Sequence, residues 1–220
     1  MIYVTGDTHG NVHKDKLLNF DYSGLTKSDY IIICGDFGFV WYGDYDQQVL
    51  DWLEELPCSI LFCDGNHEGF PLLNSYPVVE WNGGRVHQIK PHVLHLMRGE
   101  IYNIDNQKFF VFGGGESIDK MYRKEGESWW PEELPTNEEC EYALVNLERN
   151  DWKVDYVITH SALDNILYRI NPSYEHNILT NLLFVIDKQL EFKHWYFGHY
   201  HIDRQIDDQH TAVFKRMIQL

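Results

Sequence analysis

Carboxylates, imidazoles and one amide recur in this chain at places where short apolar runs stop. The places are Gly6-Asp7-Thr8-His9-Gly10, Gly35-Asp36, Gly65-Asn66-His67-Glu68, Thr159-His160 and Gly198-His199-Tyr200-His201. In Asp7-x-His9 and His199-x-His201 the i, i+2 spacing puts both side chains on one side of an extended segment. Oxygen and imidazole donors without thiolate suit borderline to hard divalent ions, such as Mn²⁺, Fe²⁺, Zn²⁺, Co²⁺ or Ni²⁺, better than a structural zinc built on cysteines. Asp7, His9, Asp36, Asn66, His160, His199 and His201 are too many ligands for one tetrahedral ion. A pair of ions roughly 3.5–4 Å apart, sharing a carboxylate, accounts for the surplus and can clamp the attacking and leaving oxygens of a phosphoryl centre.

These residues are far apart in the chain, so the elements between them must gather them. Ile2 to Thr5, Tyr30 to Cys34 and Ser59 to Cys63 are apolar runs closed by Gly-Asp or Asp-Gly-Asn, the pattern of buried strands feeding loops. A helix is predicted through Lys14 to Phe20, and another where Val49, Leu53 and Leu56 fall at i, i+4 and i+7. This rhythm predicts an α/β fold with a largely parallel central sheet, in which ligands collect at the carboxyl ends of the strands. From about Gly84 to Gly115 the rhythm changes. Runs at 92–96, 101–104 and 109–112, separated by Arg-Gly and Asp-Asn turns, predict an antiparallel meander.

Residues 117 to 137 have neither helix nor strand periodicity and read as a functional loop. A helix from Asn137 to Arg149 follows, then a strand from Val154 to Thr159 and a long helix near Tyr174 to Leu190. Strands at His194 to Phe197 and Ala212 to Lys215 complete the pattern. There is no internal repeat and no Pro-, Gly- and Ser-rich linker, so residues 1–220 are expected to form one domain.

Hydrophobic residues make up 44% of the chain and charged residues 24%, which is ordinary for a globular protein with a sizeable core. Acidic side chains outnumber basic ones 34 to 18, a formal charge of −16 that repels polyanions and makes nucleic acid a poor partner. Cys34, Cys58, Cys63 and Cys140 have no CxxC spacing and read as reduced thiols. The opening MIYVTGDTHG carries no export signal and no apolar run is long enough to span a membrane, so a cytoplasmic location is expected. Oligomeric state is not readable.

The ordered motifs between Gly6 and His201 resemble the calcineurin-like metallophosphoesterase superfamily, whose series is Asp-x-His, Gly-Asp, Gly-Asn-His-Asp/Glu, His and Gly-His-x-His. The resemblance implies a four-layer α-β-β-α sandwich of two packed mixed sheets, with the metal centre at the carboxyl ends of the strands. It implies that Asp7, His9, Asp36 and His201 hold one metal, and that Asp36, Asn66, His160 and His199 hold the other, with manganese the first choice. His67 is implied to protonate the leaving group while a hydroxide bridging the metals attacks phosphorus. The expected partner is a small phosphate ester, mono- or diester.

One departure stands out. Where the protein-phosphatase branch reads Gly-Asp-x-x-Asp-Arg-Gly, this chain has Gly35-Asp36-Phe37-Gly38-Phe39-Val40-Trp41, without the phosphate-gripping arginine. Arg123, Arg98 and Lys124 are the candidates to replace it, each also readable as surface charge. Trp129 and Trp130 could stack on a leaving group or simply pack. His13, His87, His92, His95, His176, His194 and His210 read as structural or solvated. Two other functions compete with catalysis: a metal-binding scaffold that has lost turnover, and a nuclease, which the charge disfavours.

Overall fold

A strand whose side chains are apolar on both faces must be covered on both, and that requirement sets the architecture. The computed structural model describes all 220 residues. Along the chain come β1 (Ile2–Thr5), α1 (Asp15–Leu18), β2 (Tyr30–Ile33), α2 (Gln47–Glu55), β3 (Ser59–Phe62), α3 (Phe70–Leu73), β4 (Val78–Trp81), β5 (Gly84–Lys90), β6 (Val93–Leu96), β7 (Glu100–Ile104) and β8 (Gln107–Phe112). Then come α4 (Asn137–Arg149), β9 (Tyr156–Thr159), α5 (Asp164–Ile170), α6 (Ile178–Asp187), β10 (His194–Phe197), β11 (Arg204–Gln205), β12 (His210–Ala212) and β13 (Ile218–Gln219).

The strands form two mixed sheets, ordered β13-β1-β2-β3-β6-β5-β4 and β11-β12-β10-β9-β8-β7. In the first, β1, β2, β3 and β6 run parallel; in the second, β8, β9, β10 and β12 do. Alternation along each strand divides its side chains between two cores. Ile32, Cys34, Leu61 and Cys63 meet Phe109, Val111, Ile158 and Tyr196 between the sheets. Ile31, Ile33, Ile60 and Phe62 point outward to Leu50 and Leu53 of α2. Phe110, Phe112, Trp195 and Phe197 face Ala143 and Leu147 of α4 and Leu179, Leu183 and Ile186 of α6. The result is the α-β-β-α sandwich that the family resemblance implies.

The expectation of one central sheet with an appended meander needs correction. β6 joins the first sheet beside β3, with β5 antiparallel to it, whereas β7 and β8 form an antiparallel pair in the second sheet. The chain crosses between sheets over Met97–Gly99, where the Gly99 N–H donates to the Val111 carbonyl at 2.8 Å. The helix expected from Tyr174 starts at Ile178, because Asn177 and Thr180 form a capping box that satisfies its first N–H groups. The helix expected over Lys14–Phe20 is one turn long, α1. α3, α5, β4, β5, β11 and β13 lie outside the elements expected from the sequence, and the strand expected over Ala212 to Lys215 is instead β12, His210–Ala212. All cysteines are free thiols, and no helix is long and apolar enough to cross a membrane.

Candidate metal centre and its cleft

Each motif residue leaves the carboxyl end of a parallel strand. Asp7 follows β1, Asp36 follows β2 and Asn66 follows β3 in one sheet; His160 follows β9, and His199 and His201 follow β10 in the other. The parallel registers bring the strand ends to one rim, and the packing of the two sheets closes it from both sides. Four of these residues sit in the left-handed region, His9 (φ 46°), Asp36 (φ 48°), His199 (φ 69°) and His201 (φ 51°). Such backbone costs a non-glycine residue about 1 kcal/mol or more and gathers at functional sites. Close approach dictates the glycines beside them: a Cβ on Gly35 would stand 2.2 Å from His160 Nδ1, and one on Gly198 2.3 Å from Asp7 Oδ1.

Ligand atoms of Asp7, His9, Asp36 and His201 lie within 4.8 Å of one another, as do those of Asp36, His160 and His199, so Asp36 belongs to both groups. His9 Nε2 stands 3.0 Å from Asp36 Oδ2 and His160 Nε2 3.3 Å from Asp36 Oδ1. His160 also shows which of its nitrogens carries a lone pair. Its Nδ1 faces the Cys34 carbonyl at 2.8 Å and must donate there, so Nε2 is an acceptor. That acceptor faces Asn66 Oδ1 at 3.2 Å and His199 Nδ1 at 3.1 Å. The Asn66 amide nitrogen donates to Ser117 Oγ at 3.0 Å, which turns its oxygen toward the centre.

Lone pairs converging in a buried space are costly unless a cation lies among them. Asp7 Oδ2 makes the same point: it is buried without a hydrogen-bond partner, with His201 Nε2 3.1 Å away but misdirected. The other oxygens are fixed by backbone: Asp7 Oδ1 accepts from His199 N at 3.0 Å and Asp36 Oδ1 from His67 N at 2.7 Å. Burial opposes ionisation of Asp36, but the His160 and His9 imidazoles outweigh it and hold the carboxyl far below the usual range. Burial, reinforced by His160, pushes the His199 imidazole down to about 3, leaving it neutral as a ligand must be. This donor set fits one or two divalent ions of the kind the sequence implies.

Supports that the sequence reading missed lie beneath the centre. Glu68, fully buried, accepts from the N–H groups of Phe37 (2.7 Å), Gly38 (3.1 Å) and Gly65 (3.3 Å), tying the second motif to the third. Lys16 donates to the carbonyls of Gly6 (2.9 Å), Asp7 (2.7 Å) and Phe214, and burial pushes its ammonium down to about 8. His13 meets His9 Nδ1 at 3.1 Å, so it braces a candidate ligand rather than standing free. The available signal was a histidine four residues and a lysine seven residues past His9.

A cleft of about 990 Å³ opens over the centre, walled by residues 116–123 on one side and 171–180 on the other. His67 and Arg123 both line it, with Arg123 Nη2 3.0 Å from His67 Nε2. Burial lowers the His67 pKa and the Arg123 charge adds to this, against the opposing pull of Asp36. Arg123 is held by Asp119 at 2.8 Å. Arg98 is placed elsewhere: its Nε and Nη2 donate to Asp64 Oδ2 at 2.9 and 2.6 Å, behind the cleft wall. Lys124 is exposed and pairs with Glu127. Trp130 is buried against Trp41 and Phe70, while Trp129 supports Lys120 with its ring. The remaining histidines pair with Glu54, Asp64, Asp164, Thr211 and Asp207 or with one another, away from the centre.

Among solved structures, the chain is similar to a phosphopantetheinyl hydrolase from Mycobacterium tuberculosis, at 17% identity and a TM-score of 0.49, over 97% of this chain and 89% of that one. No curated protein sequence matches the chain. The family model for calcineurin-like phosphoesterases matches residues 1–203, a span that contains every residue of the centre and both walls of the cleft. The chain belongs to the calcineurin-like phosphoesterase family.

Proposed function

We propose that this chain hydrolyses a small phosphate ester, with residues 1–220 acting as one domain. In this reading Asp7, His9, Asp36 and His201 hold one divalent ion, and Asp36, Asn66, His160 and His199 hold a second. The observation that carries it is the convergence of buried lone pairs from both sheets, with Asp36 common to the two groups. When bound there, two such ions, manganese first among the candidates, would supply an acidified water and offset charge on the phosphoryl oxygens.

The chain's own groups do the rest. Arg123 Nη2 donates toward His67 Nε2, which keeps the imidazole neutral while the cleft is free. A phosphate is a better acceptor for the guanidinium than an imidazole, so substrate draws Arg123 onto the phosphoryl oxygens and frees the Nε2 lone pair to take up a proton from solvent, which the imidazolium then passes to the departing oxygen. Arg123 thereby stands in for the arginine absent from the second motif. Arg98 acts at one remove, fixing Asp64 and the turn that presents Asn66.

Elemental analysis with a substrate panel tests this. Wild-type protein is expected to carry close to two ions and to hydrolyse p-nitrophenyl phosphate or its bis ester once loaded with Mn²⁺. His67→Ala should keep its metal and lose about 10²- to 10⁴-fold in kcat, whereas Asp36→Asn should lose metal as well. Metal-loaded wild type that is silent across monoesters, diesters and cyclic nucleotides would reduce the chain to a binding scaffold.

A further inference from the structure

The cleft is far larger than a phosphoryl group, and its walls differ in what they leave free. On the 171–180 wall the Asn177 amide is already hydrogen-bonded, its nitrogen donating to Glu116 Oε2 of the facing wall at 3.1 Å, while Glu175 adds a carboxylate. Asn177 and Thr180 spend their side chains on the capping box of α6, and Asn171 Oδ1 accepts from the Ser173 N–H and hydroxyl. Tyr174 leans on Tyr200 with ring centroids 5.3 Å apart, presenting an aromatic surface.

The opposite wall is a braced turn. Ser117 donates through its N–H and hydroxyl to the buried Glu133 carboxylate at 3.0 and 2.9 Å. Lys120 lies over the Trp129 ring at 5.0 Å, and Arg123 is paired with Asp119. From this fixed base Ile118 and Met121 line the cleft while 84% and 81% exposed. Met121 belongs to the 3₁₀ turn Lys120–Tyr122 and Ile118 to the turn just before it, and both border the same cleft. Large apolar side chains exposed at the mouth of a polar site gain by being covered, and with the neighbouring turn braced the ordering cost is confined to their own rotamers.

Charge says what kind of body can cover them. Glu116, Asp119 and Glu175 line the cleft beside only two basic side chains, Lys120 and Arg123. Lys120 is committed to Glu116 at 3.1 Å, and Arg123 faces the reacting phosphoryl group in the reading above. A second phosphate would have to draw Lys120 from Glu116 and sit among three carboxylates.

We propose that the Ile118–Met121 turn is the specificity element of this cleft, and that it takes a phosphate ester with a single phosphoryl centre whose other part is apolar and carries no further negative charge. This rests on the reading of the site as a phosphoesterase. The apolar part lies between Ile118, Met121 and the Tyr174 ring, and the surrounding carboxylates turn away nucleoside polyphosphates.

Binding and turnover separate the two ideas. Calorimetry on Mn²⁺-loaded wild type with alkylphosphonates from ethyl to octyl needs no turnover, and the Kd is expected to fall about two- to fourfold per added methylene over the first several. In Ile118→Asn/Met121→Gln, both exposed positions whose change should spare the fold, that slope should flatten to less than about 1.5-fold per methylene. Methylphosphonate affinity and bound Mn²⁺ should stay within about twofold of wild type. An equal slope in wild type and variant, or tighter binding of adenosine diphosphate than of octylphosphonate, overturns the proposal. A chain-length slope in a protein that hydrolyses no ester would leave the specificity element standing and overturn the phosphoesterase reading alone.

Discussion

Glu68 illustrates how a motif residue can matter without touching the chemistry. Its carboxylate accepts three backbone N–H groups from the turns that carry Asp36 and Asn66. Leaving those donors unpaired in a buried place costs about 1–3 kcal/mol each, so Glu68→Ala should lose about 3 kcal/mol or more in urea unfolding and bind metal more weakly. Glu68→Gln keeps one oxygen, Oε1 serving two of the three donors, and should lose about a third as much. An unchanged midpoint for the alanine variant would show that water replaces the carboxylate. At this scale the sequence showed the ligand types and their i, i+2 pairs, because those are local. It could not separate Arg98 from Arg123, since what decides between them is a buried acid, Asp64, that only the fold brings to one and not the other.

Elements were legible where one physical demand dominated. Ile31–Ile33 of β2, Ile60–Phe62 of β3, Phe109–Phe112 of β8 and Trp195–Phe197 of β10 are apolar because both faces are covered, and α4, expected over Asn137–Arg149, is capped by Thr136 and Glu139, which satisfy its first turn reciprocally. Thr136→Ala should cost about 1 kcal/mol, visible as a lower thermal midpoint; no change would mean the Arg98 pairing of Glu139 holds that end alone. Partnering between strands was not legible. Nothing local says that β6 turns to β3 while β7 turns to β8, since both choices bury similar side chains. The link between α6 and β12 is of this non-local kind, made by His210 set between Asp187 and Asp207. Burial lowers its pKa, but the two carboxylates outweigh that and raise it above the ordinary value. A raised folded pKa means that the stabilisation is full below about pH 6.5 and fades as pH climbs through the folded value. His210→Gln should therefore cost about 1 kcal/mol near pH 5.5, modest because Asp207 is partly exposed, and less above pH 8. A cost that grew with pH would reverse the assignment.

For the whole molecule, the decisive fact is that the centre draws Asp7, Asp36 and Asn66 from one sheet and His160, His199 and His201 from the other. Bound cations at that rim would clip the sheets together at their carboxyl ends, beyond what the shared core of Val4, Leu61, Phe109 and Ile158 supplies. Because the three apolar clusters need no ion, the metal-free chain should stay folded, yet with the lone pairs of Asp7, Asp36 and His160 facing one another. A ligand that binds only the folded state adds about 2.7 kcal/mol at a hundredfold excess over its Kd. At about 2–4 °C per kcal/mol for a chain of this size, saturating Mn²⁺ should raise the melting temperature by roughly 5–10 °C over chelated protein. In Asp36→Asn, which weakens both groups at once, the rise should shrink to a degree or two, whereas in His67→Ala, which removes a ligand from neither group and keeps the N–H to Asp36, it should persist. Equal rises in all three proteins would place the stabilising cation elsewhere on this acidic surface and remove the sheet-clipping role from the rim.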